Sequence, residues 1–319
     1  MMKLRLAGEA RRRAASAAAT TGAAAGERWL SAAAAAAAAA KGRLEGKIAL
    51  ITGGASGLGK ATAHEFIREN AAAVVLADVN SGLGQQAAEE LGPRAHFVRC
   101  DVAVEDSVAA AVDFAVARHG RLDVMFNNAG VAGSLVGTSE IATLDLAQFD
   151  AVMSVNVRGT LAGIKHAARV MAPAGAGGSI LCMASISGIM GGLGTYPYSV
   201  SKFAIAGVVK AAAAELCRLG VRINCISPYA VATPMVVEQF SQMLRQGAPD
   251  DEAAQLAAAA VIRGLGELQG ATCEAVDVAR AAAYLASDDA KYVSGHNLVV
   301  DGGFTSYKYL PLPKPPKDQ

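Results

Sequence analysis

Paired cysteines, a basic stripe and a bilayer-length apolar run are all missing from this 319-residue chain. Its five cysteines (Cys100, Cys182, Cys217, Cys225 and Cys273) are odd in number and never stand at Cys-x-x-Cys spacing. That excludes a secreted disulfide framework and a zinc site, and leaves reduced packing residues. The histidines, His64, His96, His119, His166 and His296, share no ligand spacing either. Basic and acidic groups nearly cancel, 29 against 28, but residues 1–43 are net +6 and the rest net −5. An acidic body without a basic stripe excludes nucleic acid as the main partner. The alanine run Ala32–Ala40 falls well short of the roughly 20 apolar residues a bilayer crossing needs, so no membrane span is expected.

A Leu/Val-rich secretory stretch is absent as well. Residues 1–44 are instead rich in alanine and arginine and poor in acid, which reads as an organelle-targeting presequence. Arg28-Trp29-Leu30-Ser31 resembles a mitochondrial cleavage pattern. Mitochondrion is the first expectation and plastid the second; a disordered extension on a cytosolic protein is the plain alternative.

What is present is a core: 53% hydrophobic and 18% charged residues. From Lys47 onward, short β-branched runs alternate with longer amphipathic ones. Residues 47–51, 73–77, 96–99, 123–126, 179–183, 222–226 and 297–300 read as strands. Residues 59–70, 104–119, 146–171 and 199–219 read as helices between them. The expected fold is α/β, a single-domain, Rossmann-type doubly wound parallel sheet with helices on both faces, over 45–305. Residues 230–270 break the rhythm and are expected to form a flap over the crevice at the strands' carboxyl ends. Residues 306–319 form a proline-rich tail.

The first strand runs into Thr52-Gly53-Gly54-Ala55-Ser56-Gly57-Leu58-Gly59. Glycines there let the backbone approach a pyrophosphate at a helix N-terminus, although a tight turn also explains them. A triphosphate loop needs a hydroxyl after its lysine, and Ala61 follows Lys60. Asp78, ending the second strand, is placed to take ribose hydroxyls and to repel a 2′-phosphate. No Arg or Lys stands inside the glycine turn, so NAD is the expected cofactor rather than NADP.

Tyr198-Ser199-Val200-Ser201-Lys202 holds the candidate chemistry. At i, i+4 spacing, Tyr198 and Lys202 share a helix face. A phenol titrates near 10, and a cation about 4 Å away is worth roughly 4 kcal/mol at an effective dielectric near 20. This predicts an acidified tyrosine. Tyr196 has only Val200 at its i+4 position. Ser185, just past the fifth strand, is a candidate donor to a carbonyl oxygen, with Ser187 its competitor. Asn156, a poor helix former inside 146–171, suggests a polar role.

These residues together resemble the short-chain dehydrogenase/reductase family, in its compact NAD-dependent branch. The matches are Thr52-Gly53-x-x-x-Gly57-x-Gly59, Asp78, Asp101, Asn127-Asn128-Ala129-Gly130, Asn156, Ser185 and Tyr198-x-x-x-Lys202. The resemblance implies a tetrad of Asn156, Ser185, Tyr198 and Lys202. In it Tyr198 is acid/base, Ser185 orients the substrate oxygen, and Lys202 holds the nicotinamide ribose and acidifies the phenol. Asn156 anchors a proton-relay water. It also implies that Gly53, Ser56, Gly57, Leu58 and Gly59 cradle the dinucleotide and that Asp78, Asp101 and Val102 flank the adenosine. Asn128, Ala129 and Gly130 line that side, and Val231 and Thr233 meet the carboxamide. Where many members read Pro-Gly after the sixth strand, this chain reads Pro228-Tyr229, then Ala230-Val231-Ala232-Thr233-Pro234-Met235, and that run, with the stretch from Ser294 to Gly303, resembles the plant branch.

The expected activity is therefore interconversion of a secondary alcohol and a ketone, on a small lipophilic substrate (terpenoid, steroid-like or phenolic). Met190, Met235 and Tyr229 are candidates to shape its pocket. A sugar epimerase or dehydratase lacks support, since neither a Gly-x-x-Gly-x-x-Gly turn nor an added C-terminal domain is seen. A catalytically idle NAD-binding scaffold is the alternative. The family resemblance further implies a homotetramer, paired through the helices at 146–171 and 199–219.

Overall fold

A computed structural model describes residues 42–133, 140–175, 177–245 and 250–306. Residues 1–41 of the presequence expectation and 307–319 of the proline-rich tail lie outside this set, while Leu44 is fully buried in the core. Seven parallel strands form one sheet: β1 (Ile48–Thr52), β2 (Ala73–Asp78), β3 (Ala95–Arg99), β4 (Val124–Asn127), β5 (Gly178–Met183), β6 (Val221–Pro228) and β7 (Asn297–Val300). Their order is β3-β2-β1-β4-β5-β6-β7. β1 therefore pairs with β2 on one side and β4 on the other, so the connections run off in opposite directions from the β1/β4 junction. A ligand crevice opens at such a switch point, outside the carboxyl ends of the strands. Period-two burial separates the two faces. Leu50, Val75 and Ala77 join one apolar cluster, while Ala49, Ile51, Val74 and Leu76 join the other.

Helices cover both faces. α1 (Gly57–Arg68), α2 (Ser81–Leu91) and α9 (Ala275–Ala286) contribute Phe66, Ala87 and Val278 to one cluster. α3 (Glu105–His119), α5 (Gly159–Ala174) and α6 (Tyr196–Leu216) contribute Val112, Ala167 and Ile205 to the other. No described helix is long and apolar enough to cross a membrane.

Two helix expectations need correction, and the flap segment gains detail. The helix expected over 146–171 is α4 (Leu146–Met153), a π-helical turn (Ser154–Arg158) and then α5. An i→i+5 turn fits one extra residue into a helix, so hydrophobic periodicity alone does not reveal it. The helix expected from residue 199 starts at Tyr196, because Thr195 caps it and Pro197 suits its first turn. The flap segment 230–270 carries two helices, α7 (Pro234–Leu244) and α8 (Asp251–Gly264). Their signals were present in the sequence: Thr233-Pro234 opens one, and the Asp250 cap with Asp251 and Glu252 opens the other.

Candidate active site

The loop after β1 is shaped so that only small residues fit. Gly53 and Gly57 have φ of 64° and 52°, conformations a side chain disfavours. A Cβ on Gly59 would lie 2.1 Å from the Gly53 carbonyl oxygen and 2.6 Å from Asn128 Nδ2. Asn128 itself donates through Nδ2 to the carbonyls of Thr52 (3.0 Å) and Gly53 (3.1 Å). The Thr52 hydroxyl oxygen accepts from the amides of Asn128 (3.0 Å) and Ala129 (3.1 Å). The β1 and β4 loops are thus tied together across the switch point. Ser56 precedes α1 without capping it through its side chain, and the first turn holds no acid. The free N–H groups and the helix dipole there suit a phosphate diester.

Asp78 sits at the end of β2 on the same crevice. One carboxylate oxygen accepts from Ala55 N (3.1 Å) and the other from Asn80 N (3.0 Å), which leaves acceptor capacity on both. Asp101 Oδ1 accepts from Ala103 N (3.0 Å), and Val102 is buried beside it. These residues, together with Gly53, Ser56, Gly57, Leu58 and Asn128-Ala129-Gly130, border one cavity of about 690 Å³, and Gly59 packs behind its wall against Gly53 and Asn128. The cradle fits a nicotinamide dinucleotide: glycines for close approach, a helix N-terminus for pyrophosphate, and a carboxylate for ribose hydroxyls.

The same cavity is bordered by Ser185, Tyr198, Lys202, Val231 and Thr233. Helix α6 carries Tyr198 and Lys202 on one face, with Lys202 Nζ 5.3 Å from the Tyr198 ring centroid. Thr195 fixes the start of that helix by accepting from Tyr198 N (3.3 Å) and donating to the Ala132 carbonyl (2.8 Å). Gly188, in the short turn after β5, packs on the α6 backbone, where a Cβ would lie 2.5 Å from the Lys202 carbonyl. That contact sets Ser185 beside Tyr198.

Ser185 and Ser187 both reach the cavity but differ in what remains free. The Ser187 hydroxyl donates to the Leu193 carbonyl (3.2 Å). The Ser185 oxygen accepts from Ser187 N (3.2 Å), and its hydroxyl is directed at the Tyr198 phenol inside the cavity, where a substrate oxygen could take its proton. Ser185→Ala is expected to lower kcat by about a hundredfold. Ser187→Ala should cost less than about threefold, since it removes one loop hydrogen bond. Steady-state kinetics of the two variants check the assignment.

Asn156 borders the site through its backbone partners and is absent from the cavity wall. Its Oδ1 accepts from Val131 N (2.8 Å), and Nδ2 donates to the Val131 carbonyl (2.9 Å) and to Ser201 Oγ (2.9 Å). Ser201 Oγ in turn donates to the Tyr198 carbonyl (2.6 Å). The π turn thereby splints the β4 loop to the Tyr198 helix, and the amide keeps one acceptor site on Oδ1.

The electrostatics depart from the sequence arithmetic. Burial holds the Tyr198 phenol above its ordinary value, with a hydrogen bond from Ser185 opposing it. Burial also pushes Lys202 down to about 8. Lys202 is 4% exposed, and its Nζ donates to the Met183 carbonyl at 2.8 Å. At 5.3 Å from the ring, the cation does not offset the desolvation that raises the phenol.

Of the pocket candidates, Met235 and Tyr229 border the cavity and Met190 does not. Thr195, Leu265 and Phe304 were missed by the sequence reading. Thr195 was legible as a cap three residues before Tyr198. Leu265 and Phe304 carry no local signal, because tertiary packing alone brings them in.

The family model described as enoyl-(acyl carrier protein) reductase matches residues 53–305. Among curated proteins, the sex determination protein tasselseed-2 of Zea mays is 46% identical, over 84% of this chain and 84% of that protein. Momilactone A synthase of Oryza sativa subsp. japonica is 48% identical, over 82% and 91%. (+)-Borneol dehydrogenase 2 of Salvia officinalis is 46% identical, over 83% and 91%. The crystal structure of levodione reductase superposes with a TM-score of 0.74 at 32% identity, covering 83% of this chain and all of that one. The three curated relatives are plant proteins, as the resemblance of residues 228–235 and 294–303 implied. With glycine cradle, switch-point crevice and Tyr-Lys helix in one cavity, the chain belongs to the short-chain dehydrogenase/reductase family and is an oxidoreductase.

Proposed function

We propose that this oxidoreductase uses NAD to interconvert a secondary alcohol and a ketone on a small lipophilic molecule, of terpenoid, steroid-like or phenolic type. The observation that carries the reading is Tyr198, Lys202 and Ser185 sharing one cavity with the glycine cradle. A bound nicotinamide supplies or accepts the hydride. Gly53, Ser56, Gly57, Leu58 and Gly59 would hold its pyrophosphate. Asp78, Asp101, Val102 and Asn128-Ala129-Gly130 would hold the adenosine, and Lys202, Val231 and Thr233 the nicotinamide end. Ser185 donates to the substrate oxygen while Tyr198 gives its proton to a ketone or takes one from an alcohol. Asn156 acts as a positioning residue through Val131 and Ser201.

Among the described residues, Asp78, Asp101 and Lys202 are the charged groups bordering the cavity. Arg99, in register with Asp78 on β3, does not border the cavity, so a 2′-phosphate there would meet the carboxylate, which supports NAD. Wild-type kcat/KM is expected to favour NAD strongly, and Asp78→Ala to narrow that preference by about a hundredfold, because a like-charge contact is removed. A wild type that prefers NADP would refute the assignment. The substrate end lacks charge, which supports a lipophilic substrate. The names borneol dehydrogenase and momilactone A synthase point the same way.

A homotetramer is inferred from Leu161 and Phe203, large apolar residues left 46% exposed on α5 and α6. Phe203→Glu is expected to lower the assembled mass in light scattering. Delivery to the mitochondrion is inferred from the basic, acid-poor residues 1–44 alone.

A further inference from the structure

Three segments remote in sequence meet at one wall of the cavity: the exits of β6, α8 and β7. Tyr229 follows β6, and its amide donates to the Val300 carbonyl at 2.9 Å. Its hydroxyl donates to the carbonyl of Leu265, the residue that ends α8, at 3.0 Å. A helix leaves its last carbonyls without partners, and this one is satisfied from outside. The Tyr229 ring lies against Phe304, with centroids 4.9 Å apart and planes inclined by 48°.

Phe304 is held there by a built turn. Asp301 Oδ1 accepts from Gly303 N (2.8 Å), and Oδ2 accepts from Thr305 N (2.8 Å) and Thr305 Oγ1 (2.7 Å). One buried carboxylate thus folds residues 301–305. At Gly302, where φ is 63°, a Cβ would lie 3.0 Å from Leu268 Cβ, so the turn also packs on the segment after α8. Tyr229, Leu265, Phe304 and Met235 all border the cavity that holds Tyr198. Burial, with Glu267 and Asp301 adding to it, keeps the Tyr229 phenol above its ordinary value. It stays a hydrogen-bond donor and does not serve as a second acid/base.

We propose that Tyr229 and Phe304 form the specificity wall of the site, a rigid apolar surface that selects alcohols and ketones with a bulky ring skeleton over small ones. Tyr229 is positioned by the Leu265 carbonyl, and Phe304 by the Asp301 turn. The inference rests on the alcohol–ketone reading above. A tilted aromatic pair with a locked hydroxyl offers contact area at little entropic cost, which is what discrimination by shape requires.

The test compares wild type, Phe304→Ala and Tyr229→Phe on bicyclic (+)-borneol and on cyclopentanol, with calorimetric titration of camphor and of NADH. For Phe304→Ala the borneol-to-cyclopentanol ratio of kcat/KM is expected to fall about tenfold, through KM. For Tyr229→Phe, which keeps the ring and loses the tether, a fall of about threefold is expected. NADH affinity reports that the variants are folded. An unchanged ratio, or a loss carried by kcat equally on both alcohols, overturns the wall. A wild type that turns over neither alcohol counts against the alcohol–ketone reading, and camphor titration then decides the wall. Weaker camphor binding by Phe304→Ala supports it. Undiminished binding by the variant, or none by the wild type, overturns it.

Discussion

Tyr198→Phe is expected to lower kcat about a thousandfold in either direction, the usual worth of a positioned general acid or base. Dinucleotide affinity should stay within about twofold, because the ring and its contact with Lys202 Nζ are kept. The change removes one oxygen and nothing else that packs. Ser185 would still bind the substrate oxygen, so KM is expected to move far less than kcat, which marks an interaction realised in the transition state. Single-turnover kinetics with saturating NAD check this. A variant retaining a tenth of wild-type kcat would exclude the phenol as proton carrier.

Gly59→Ala is expected to weaken dinucleotide binding by about a hundredfold, since misplacing a binding element by an ångström carries a penalty of that order. Its Cβ would meet backbone at 2.1 Å from the Gly53 carbonyl, and neither Gly53 nor the Asn128 amide has slack to yield. Overpacking of this kind also costs about 1–3 kcal/mol of stability, so a lower Tm should accompany the lost affinity. Gly191→Ala is the control, because a Cβ there has nothing within 4 Å. NADH fluorescence titration and thermal melts separate the two effects. Undiminished affinity in Gly59→Ala would mean that the cradle is not at this loop.

Local features were the legible ones. The sheet follows from the alternation of strands and helices, and Tyr198 with Lys202 from a four-residue spacing on one helix. The π turn was not legible, yet it explains Asn156 better than a plain helix does: it brings the amide to Val131 and Ser201. Ser185 and Ser187 were inseparable in sequence, because the difference lies in the Leu193 carbonyl that claims one of them. The wall of Tyr229, Leu265 and Phe304 was hidden for a related reason. Three strand and helix exits converge there, and no periodicity reports which exits meet. The phenol's acidity was misjudged because a pairwise Coulomb estimate omits burial, which acts on Tyr198 and Lys202 alike.

That last point gives the most direct measurement, the pH dependence of kcat in both directions at saturating cofactor. Ketone reduction needs the phenol protonated and alcohol oxidation needs it ionised. A phenol held high by burial next to a lysine lowered to about 8 stays protonated at neutral pH. Oxidation is therefore expected to climb through the alkaline range and reduction to decline over the same range. The two limbs should share one midpoint, belonging to the Tyr198–Lys202 pair, that shifts in Lys202→Met. Oxidation already at its full rate at pH 6, or limbs that ignore the loss of Lys202, would contradict a proton carried by Tyr198 under the control of its neighbour.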